Sequence, residues 1–242
     1  MTTQARNSKL IVLINLMYFQ AGMLVSIISA LIPNMIESYH VSYTIAATLP
    51  FAFFLSFTFF CIPAGIANER FPPKKVILFS LLLALLGALI FVIFPNYYSS
   101  VISLFSIGSA IAVNQVSTVP LLRKICGPEN LAFNSTLNQL VYGFGAFLSP
   151  IAFSFLTTNL MDKNRDQHFI FHYLSLIIPV GYEWVSAYWF FALIIVITLI
   201  LTVCLKFPLP NDEHAVSKEG KNAFGELIKN RYVIFYFIAL AA

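Results

Sequence analysis

Three stretches of this sequence carry polar side chains inside apolar runs, and each repeats with the period of a helix. Gly22, Ser26, Ser29 and Pro33 recur at spacings of four, three and four, which places them on one helix face. Asn114 and Gln115 are followed by Ser117 and Thr118, giving two adjacent polar stripes. Gln139, Tyr142, Ala146 and Pro150 share a third face, beside Asn138. No carboxylate, thiol or imidazole stands among them, so this set cannot run acid–base or nucleophilic chemistry. It can hydrogen-bond. Hydroxyls and carboxamides both donate and accept, as the hydroxyl groups of a sugar require, and the ring of Tyr142 offers a face to a sugar's C–H surface. The candidate solute-binding residues are Gln20, Ser26, Ser29, Asn114, Gln115, Gln139 and Tyr142. For Ser26 and Ser29 a second role stays open, because small hydroxyl residues also pack helices or bond back to their own backbone. Asn and Gln are costlier to leave unpaired in hydrocarbon, which favours a cavity for Asn114, Gln115 and Gln139.

The elements that must position these residues are legible from composition. Of 242 residues, 59% are hydrophobic and 10% charged, where soluble domains carry about 25% charged residues. A soluble globule of this size has too little interior to hide so much apolar surface. Six apolar runs, at about 10–36, 44–67, 76–94, 100–122, 136–160 and 185–205, are long enough to cross a bilayer. A crossing takes roughly 20 helical residues, since ~1.5 Å per residue must cover ~30 Å. None of the six runs contains Asp, Glu, Lys, Arg or His. Strands of a membrane barrel would be about half as long and would alternate polar with apolar residues. The predicted class is an all-α integral membrane protein built as a six-transmembrane-helix bundle.

Charge sets the expected orientation. Twelve Lys and Arg residues fall in the N-terminus (1–9), the 2–3 and 4–5 loops and the segment after the sixth run, against Lys163 and Arg165 on the other side. That asymmetry puts the N-terminus in the cytoplasm. Tyr39, Tyr43, Tyr97, Tyr98, Tyr182, Trp184, Tyr188 and Trp189 then fall at the outer interface, where aromatic rings are enriched. The outer 5–6 loop opens with "MDKNRDQH" and continues as an apolar piece broken at Pro179 and Gly181, read as an interfacial or packed loop element. Residues 206–231 read as a polar cytoplasmic linker, since Pro208 and Pro210 stop the sixth helix. The final "YVIFYFIALAA" (232–242) reads as the start of a seventh helix, about half a crossing long.

Other classes fare poorly. The basic residues are scattered among short loops without a common patch, so nucleic acid is not an expected partner. Cys61, Cys126 and Cys204 show no pairing or CxxC pattern, and neither disulfide nor metal is inferred. The four histidines lie in loops, and no run offers a nucleophile–base pair, so neither an enzyme nor a cofactor is expected.

Six helices, a long linker and the start of a seventh form the layout of one half of a major facilitator transporter and the entry to its other half. The segment "IPAGIANERFPPKK" closes the second run, and its Gly65, Glu69, Arg70, Lys74 and Lys75 resemble that superfamily's cytoplasmic signature Gly-x-x-x-Asp-Arg-x-Gly-Arg-Arg. Glu69 stands for the Asp, Pro72 occupies the glycine position and one extra residue precedes the lysines. A finer resemblance, to the fucose–galactose–glucose:proton symporter family, rests on five ordered segments. These are "ALIPNM" (30–35), "IPAGI" (62–66), "GPEN" (127–130), "FGAFLSP" (144–150) and "KFPLP" (206–210).

The resemblance implies a multi-pass protein of a cell membrane, such as a bacterial inner membrane. It would carry a sugar-like solute by alternating access, with helices 1 and 4 of this half lining the path. It also implies a cytoplasmic gate in which Gly65, Glu69, Arg70 and Lys74 meet Glu129, with Arg70 and Lys74 close to that carboxylate. The partners implied are the lipid bilayer, a small polar solute and the missing carboxy-terminal half or a partner chain. The chain itself is expected to be incomplete, cut inside helix 7. One departure stands out. The family carries a membrane-embedded Asp on helix 1 and a Glu on helix 4, both tied to proton coupling. Counting back from Pro33 and Pro120, those positions hold Ser29 and Gln115, while the "GPE" anchor would place Val116 at the second. No acid is present either way, so proton symport does not carry over. The alternative reading is a degenerate half-carrier that does not transport, or a membrane subunit that needs a partner chain.

Overall fold

The apolar runs form helices because a backbone in hydrocarbon must satisfy its own hydrogen bonds, and a helix does so within one segment. The computed structural model describes residues 3–161, 178 and 182–208. The charged stretch of the expected 5–6 loop, the expected linker beyond Pro208 and the expected start of a seventh helix lie outside the described residues. In chain order the elements are α1 (Thr3–Tyr39), α2 (Tyr43–Ala46), α3 (Thr48–Arg70), α4 (Pro73–Ile93), α5 (Tyr97–Met161), a 3-10 turn (Glu183–Val185) and α6 (Ser186–Cys204). No strand occurs among the described residues, and the chain is an all-α membrane fold.

Five helices, not six, are long and apolar enough to cross a membrane among the described residues. The difference lies in α5. The 4–5 connection, expected as a loop, is helical on both sides of Gly127, so its candidate crossing runs continuously from Tyr97 to Leu160 over 64 residues. A straight helix of that length would reach ~96 Å, about three times the ~30 Å of hydrocarbon. Gly127 breaks it. Its φ of 76° and ψ of 165° are non-helical and belong to a region open in practice only to glycine. Pro128 follows at the first position of the next helical arm, where a missing N–H costs nothing. A glycine stop and a proline start thus make a corner in two residues, leaving arms of 97–126 and 128–161.

The core gathers around α1, which buries more of its crossing segment than any other candidate span. Leu10, Ile14, Met17, Ile27, Leu31 and Met35 are all fully enclosed. The seam between α1 and the second arm of α5 is closed by glycines on both sides. A Cβ at Gly22 would strike the carbonyl oxygen of Tyr142, and one at Gly145 would strike that of Phe19. The Ser149 hydroxyl donates to the Met23 carbonyl at 2.8 Å across the same seam. Small residues that let backbones touch are what membrane helices use where the hydrophobic effect no longer discriminates.

The aromatic residues expected at the outer interface divide. Tyr43 and Tyr98 are 82% and 77% exposed, as a headgroup anchor requires, while Trp184 and Tyr188 are buried. The Trp184 Nε1–H donates to the Ser38 hydroxyl at 3.0 Å, and the Phe91 ring stacks on Tyr188 with centroids 4.1 Å apart. These two rings close the end of the bundle from inside.

Candidate functional site

The candidate solute-binding residues split into two sets. Gln20 and Asn114 are buried inside the bundle. The Thr198 hydroxyl, on α6, lies 2.9 Å from the Gln20 Oε1 that accepts from it and 2.9 Å from its own Ile194 carbonyl. Asn114 enters the same interior from the first arm of α5, and its Oδ1 meets no hydrogen-bond partner. Ser80, on α4, borders the same small cavity and donates to the Ile77 carbonyl at 2.8 Å. Four helices therefore bring neutral polar groups to one place, each on a face turned towards its neighbours.

The second set is less buried. Ser29 and Gln139 are exposed, and Ser26, Gln115 and Tyr142 are half-buried. The helix 1 stripe runs from the seam at Gly22, pressed against α5, through Ser26 to open surface at Ser29 and Pro33. Gln115 borders a crevice with Met17, Tyr18, Ala21, Asn114 and Thr118, so its neighbours come from α1. Gln139 and Tyr142 sit on the second arm of α5, and no side-chain hydrogen bond joins them to the other candidates among the described residues. These residues are uncharged and can hydrogen-bond, and Tyr142 adds an aromatic ring. That arrangement can orient a polyhydroxylated solute and has no means of transferring a proton.

Lys74, one of the residues expected to form a gate, makes other contacts. The Lys74 ammonium donates to the carbonyls of Val203 at 2.7 Å and Leu205 at 2.9 Å, and lies 5.8 Å from the centre of the Phe207 ring. A cation at the carbonyl end of a helix satisfies groups that have no partner in the helix and meets the negative end of its dipole. Lys74 thus ties the start of α4 to the end of α6, and its charge is directed there instead of at Glu129. Glu69, Arg70 and Glu129 are all exposed, with Arg70 in the last turn of α3. Glu129 stands just after Pro128, where a carboxylate suits the positive end of the second arm of α5. Gly65 borders open space, since a Cβ there would meet nothing within 4 Å.

Sequence reasoning passed over Thr198, Ser80 and Tyr18. The signal for the first was present. Thr198 and Thr202 are spaced by four in an apolar run, both are fully buried, and Thr202 donates to the Thr198 carbonyl at 2.7 Å. Ser80 and Tyr18 gave no periodic signal.

With this geometry in view, the likenesses to known proteins are specific. Two solved structures of the Escherichia coli fucose:proton symporter share the fold. One, of a substituted form, has a TM-score of 0.68 at 20% identity and covers 91% of this chain and 55% of that one. The other, described as a Major Facilitator Superfamily transporter in the outward conformation, has a TM-score of 0.69 at 21% identity, covering 91% and 56%. Among curated relatives, the glucose/galactose transporter of Brucella abortus (strain 9-941) is 26% identical over 141 residues, 57% of this chain and 34% of its own length. The L-fucose-proton symporter of Escherichia coli (strain K12) is 25% identical over 205 residues, 78% of this chain and 45% of its own. The chain therefore spans less than half the length of the curated relatives it matches. The family model for the Major Facilitator Superfamily matches residues 14–242, nearly the whole sequence, and the chain belongs to that superfamily.

Proposed function

We propose that this chain is the amino-terminal part of a carrier that moves a small, polar, sugar-like solute across a cell membrane by alternating access. The superfamily is one of transporters and not of enzymes. In this reading the two arms of α5 count as two crossings, which makes six. The N-terminus lies in the cytoplasm on the twelve-to-two distribution of Lys and Arg. The opposing half of the cavity is supplied by further sequence or by a partner chain.

The observation that carries the proposal is that uncharged polar side chains stand open on membrane helices, Ser29 and Gln139 exposed and Gln115 and Tyr142 half-buried. Amides and hydroxyls turned out of a membrane bundle are costly against lipid and favourable against a wet cavity. The relatives named for glucose, galactose and L-fucose support a sugar as the solute. The test is uptake of radiolabelled L-fucose, galactose and glucose by cells expressing the full-length protein. Saturable uptake of at least one, competed by the unlabelled sugar and not by an amino acid, is the expected result. Background uptake of all three, with the protein verified at the membrane, removes the sugar reading.

A further inference from the structure

We propose that the lead into α6, residues 182–188, is an aromatic plug that keeps water out of the polar interior of the bundle. Any solute path then runs along the surface of this half and not through it. Four helices turn neutral polar side chains inwards: Gln20 from α1, Ser80 from α4, Asn114 from α5 and Thr198 from α6, all buried. Polar groups hold water that can reach them, whereas an apolar lining stays dry. Two helix faces lead from these groups to one end of the bundle. On α4 the buried face runs through Ser80, Ala84, Ala88 and Phe91, at spacings of four, four and three. On α6 it runs through Thr198, Ile195, Ala192 and Tyr188, at spacings of three, three and four. Both faces pass through alanine, which lets backbones come close but is too short to bar an opening. Both end in an aromatic ring.

The rings at that end interlock. Besides the stack of Phe91 on Tyr188, Trp184 lies edge-on to Phe91 at 5.6 Å between centroids and edge-on to Tyr39 at 5.9 Å. Edge-to-face is a preferred geometry for aromatic pairs, so each ring fixes the next. The polar atoms at the rim are engaged by neighbouring helices. Trp184 donates to Ser38 on α1, and the Tyr39 hydroxyl pairs with that of Ser100 on α5 at 3.0 Å. Phe91, Tyr188 and Trp184 are 0%, 1% and 2% exposed. The plug therefore touches α1, α4, α5 and α6, the same four helices that supply the polar groups. An interfacial anchor would leave its ring among headgroups, as the exposed Tyr43 and Tyr98 can.

The test is thiol accessibility in the full-length protein, with its native cysteines replaced by alanine and Ala88→Cys introduced one turn beneath Phe91. A buried thiol is inert to a charged, water-borne thiosulfonate reagent, and a wetted one reacts. Ala88→Cys alone should label no faster than the cysteine-free protein. Adding Trp184→Ala should raise the rate by about tenfold or more, while Trp184→Phe, which keeps a ring in place, should raise it less than about twofold. Phe91→Leu is a milder opening, with an increase of about threefold expected, and it serves if Trp184→Ala does not fold. Leu13→Ala makes a cavity in the α1 core away from the plug and should leave the rate unaltered. Rapid labelling of Ala88→Cys alone overturns the proposal. So does the absence of any increase with the opening variants, or an equal increase with Leu13→Ala, which would mean general loosening. The labelling needs no solute, so its outcome stands apart from the sugar reading.

Discussion

Asn114 and Gln139 are carboxamides on the two arms of one long helix, and they have opposite surroundings. Asn114 is turned into the bundle against α1 and α4, while Gln139 lies exposed on the surface. The two arms differ in what packs beside them. The first arm is wedged among α1, α3 and α4, so most of its faces are interior. The second meets α1 along one glycine-lined seam and leaves its other faces open. A polar residue in a membrane helix therefore signals that a helix face must avoid lipid. It does not say whether that face meets a neighbouring helix or a wet cavity.

The comparison breaks most visibly at the seam. Gly22→Leu should cost about 3 kcal/mol or more, because a side chain would have to displace the Tyr142 backbone. Expression of the full-length protein as a single monodisperse species should be lost or severely reduced. Gly143→Ala, only seven residues before Pro150 but with nothing within 4 Å of an added Cβ, should express as the parent does. Equal behaviour of the two variants would show that the seam is not a tight contact.

The open surface gives the next effect. Gln139→Ala and Gln115→Ala each remove one hydrogen-bonding group from the proposed path, worth about 1.5 kcal/mol when the partner is left unpaired, or roughly tenfold in apparent affinity. Their unfolding temperatures should stay within about 1 °C of the parent. Uptake titrations beside thermal unfolding read both quantities on the same preparation. A loss of stability without a change in affinity would move these residues into the class of Asn114.

A smaller effect is expected where the start of α4 meets the end of α6. Lys74→Met removes the cation from the α6 terminus, where such an interaction contributes about 0.5–1 kcal/mol and weakens with salt. Unfolding temperature should fall by about 1–3 °C at low ionic strength and by less in 0.5 M salt, while Lys74→Arg should retain most of it. If Glu129→Gln produced the same salt-dependent loss, Lys74 would be acting on that carboxylate after all.

How far the sequence could be read follows the same division. The membrane-helical class was legible because 59% hydrophobic residues in charge-free runs admit few other solutions. The superfamily was legible from short Pro and Gly segments at helix ends, since those residues shape corners. The corner at Gly127 illustrates the limit. "GPEN" marked the right place, but whether a glycine and a proline make a loop or a two-residue break depends on backbone angles that composition does not specify. Helical periodicity found the polar faces of α1 and α5, yet it carries no information about which neighbour covers them. Gln20 and Asn114 therefore looked identical to Gln115 and Gln139. Trp184 and Tyr188 misled for the same reason, since an aromatic residue near a helix end serves equally as an interfacial anchor or as a plug.

The smallest expected effect concerns protons, and it tests the open surface on its own terms. Carboxylates couple transport to protons when burial lifts their pKa towards working pH and their charge differs between the two cavity states. Gln115 and Ser29 are neutral, and neither an amide nor a hydroxyl exchanges a proton near neutral pH. Gln115→Ala in the full-length protein should therefore weaken uptake at every pH by the same factor, leaving the shape of the pH profile unchanged. Any proton coupling the protein shows must then come from an acid elsewhere. Gln115→Glu should behave differently, because a carboxyl can exchange a proton where the amide cannot. Uptake by that variant should gain a pH dependence that the parent lacks, with the protonated form, which still donates and accepts, resembling the parent amide. Substrate-dependent alkalinisation of lightly buffered cells, followed across pH for parent, Ala and Glu variants, measures all three. A shifted profile in the Ala variant would mean that Gln115 tunes a titrating neighbour, and the path would then contain an acid close to this half.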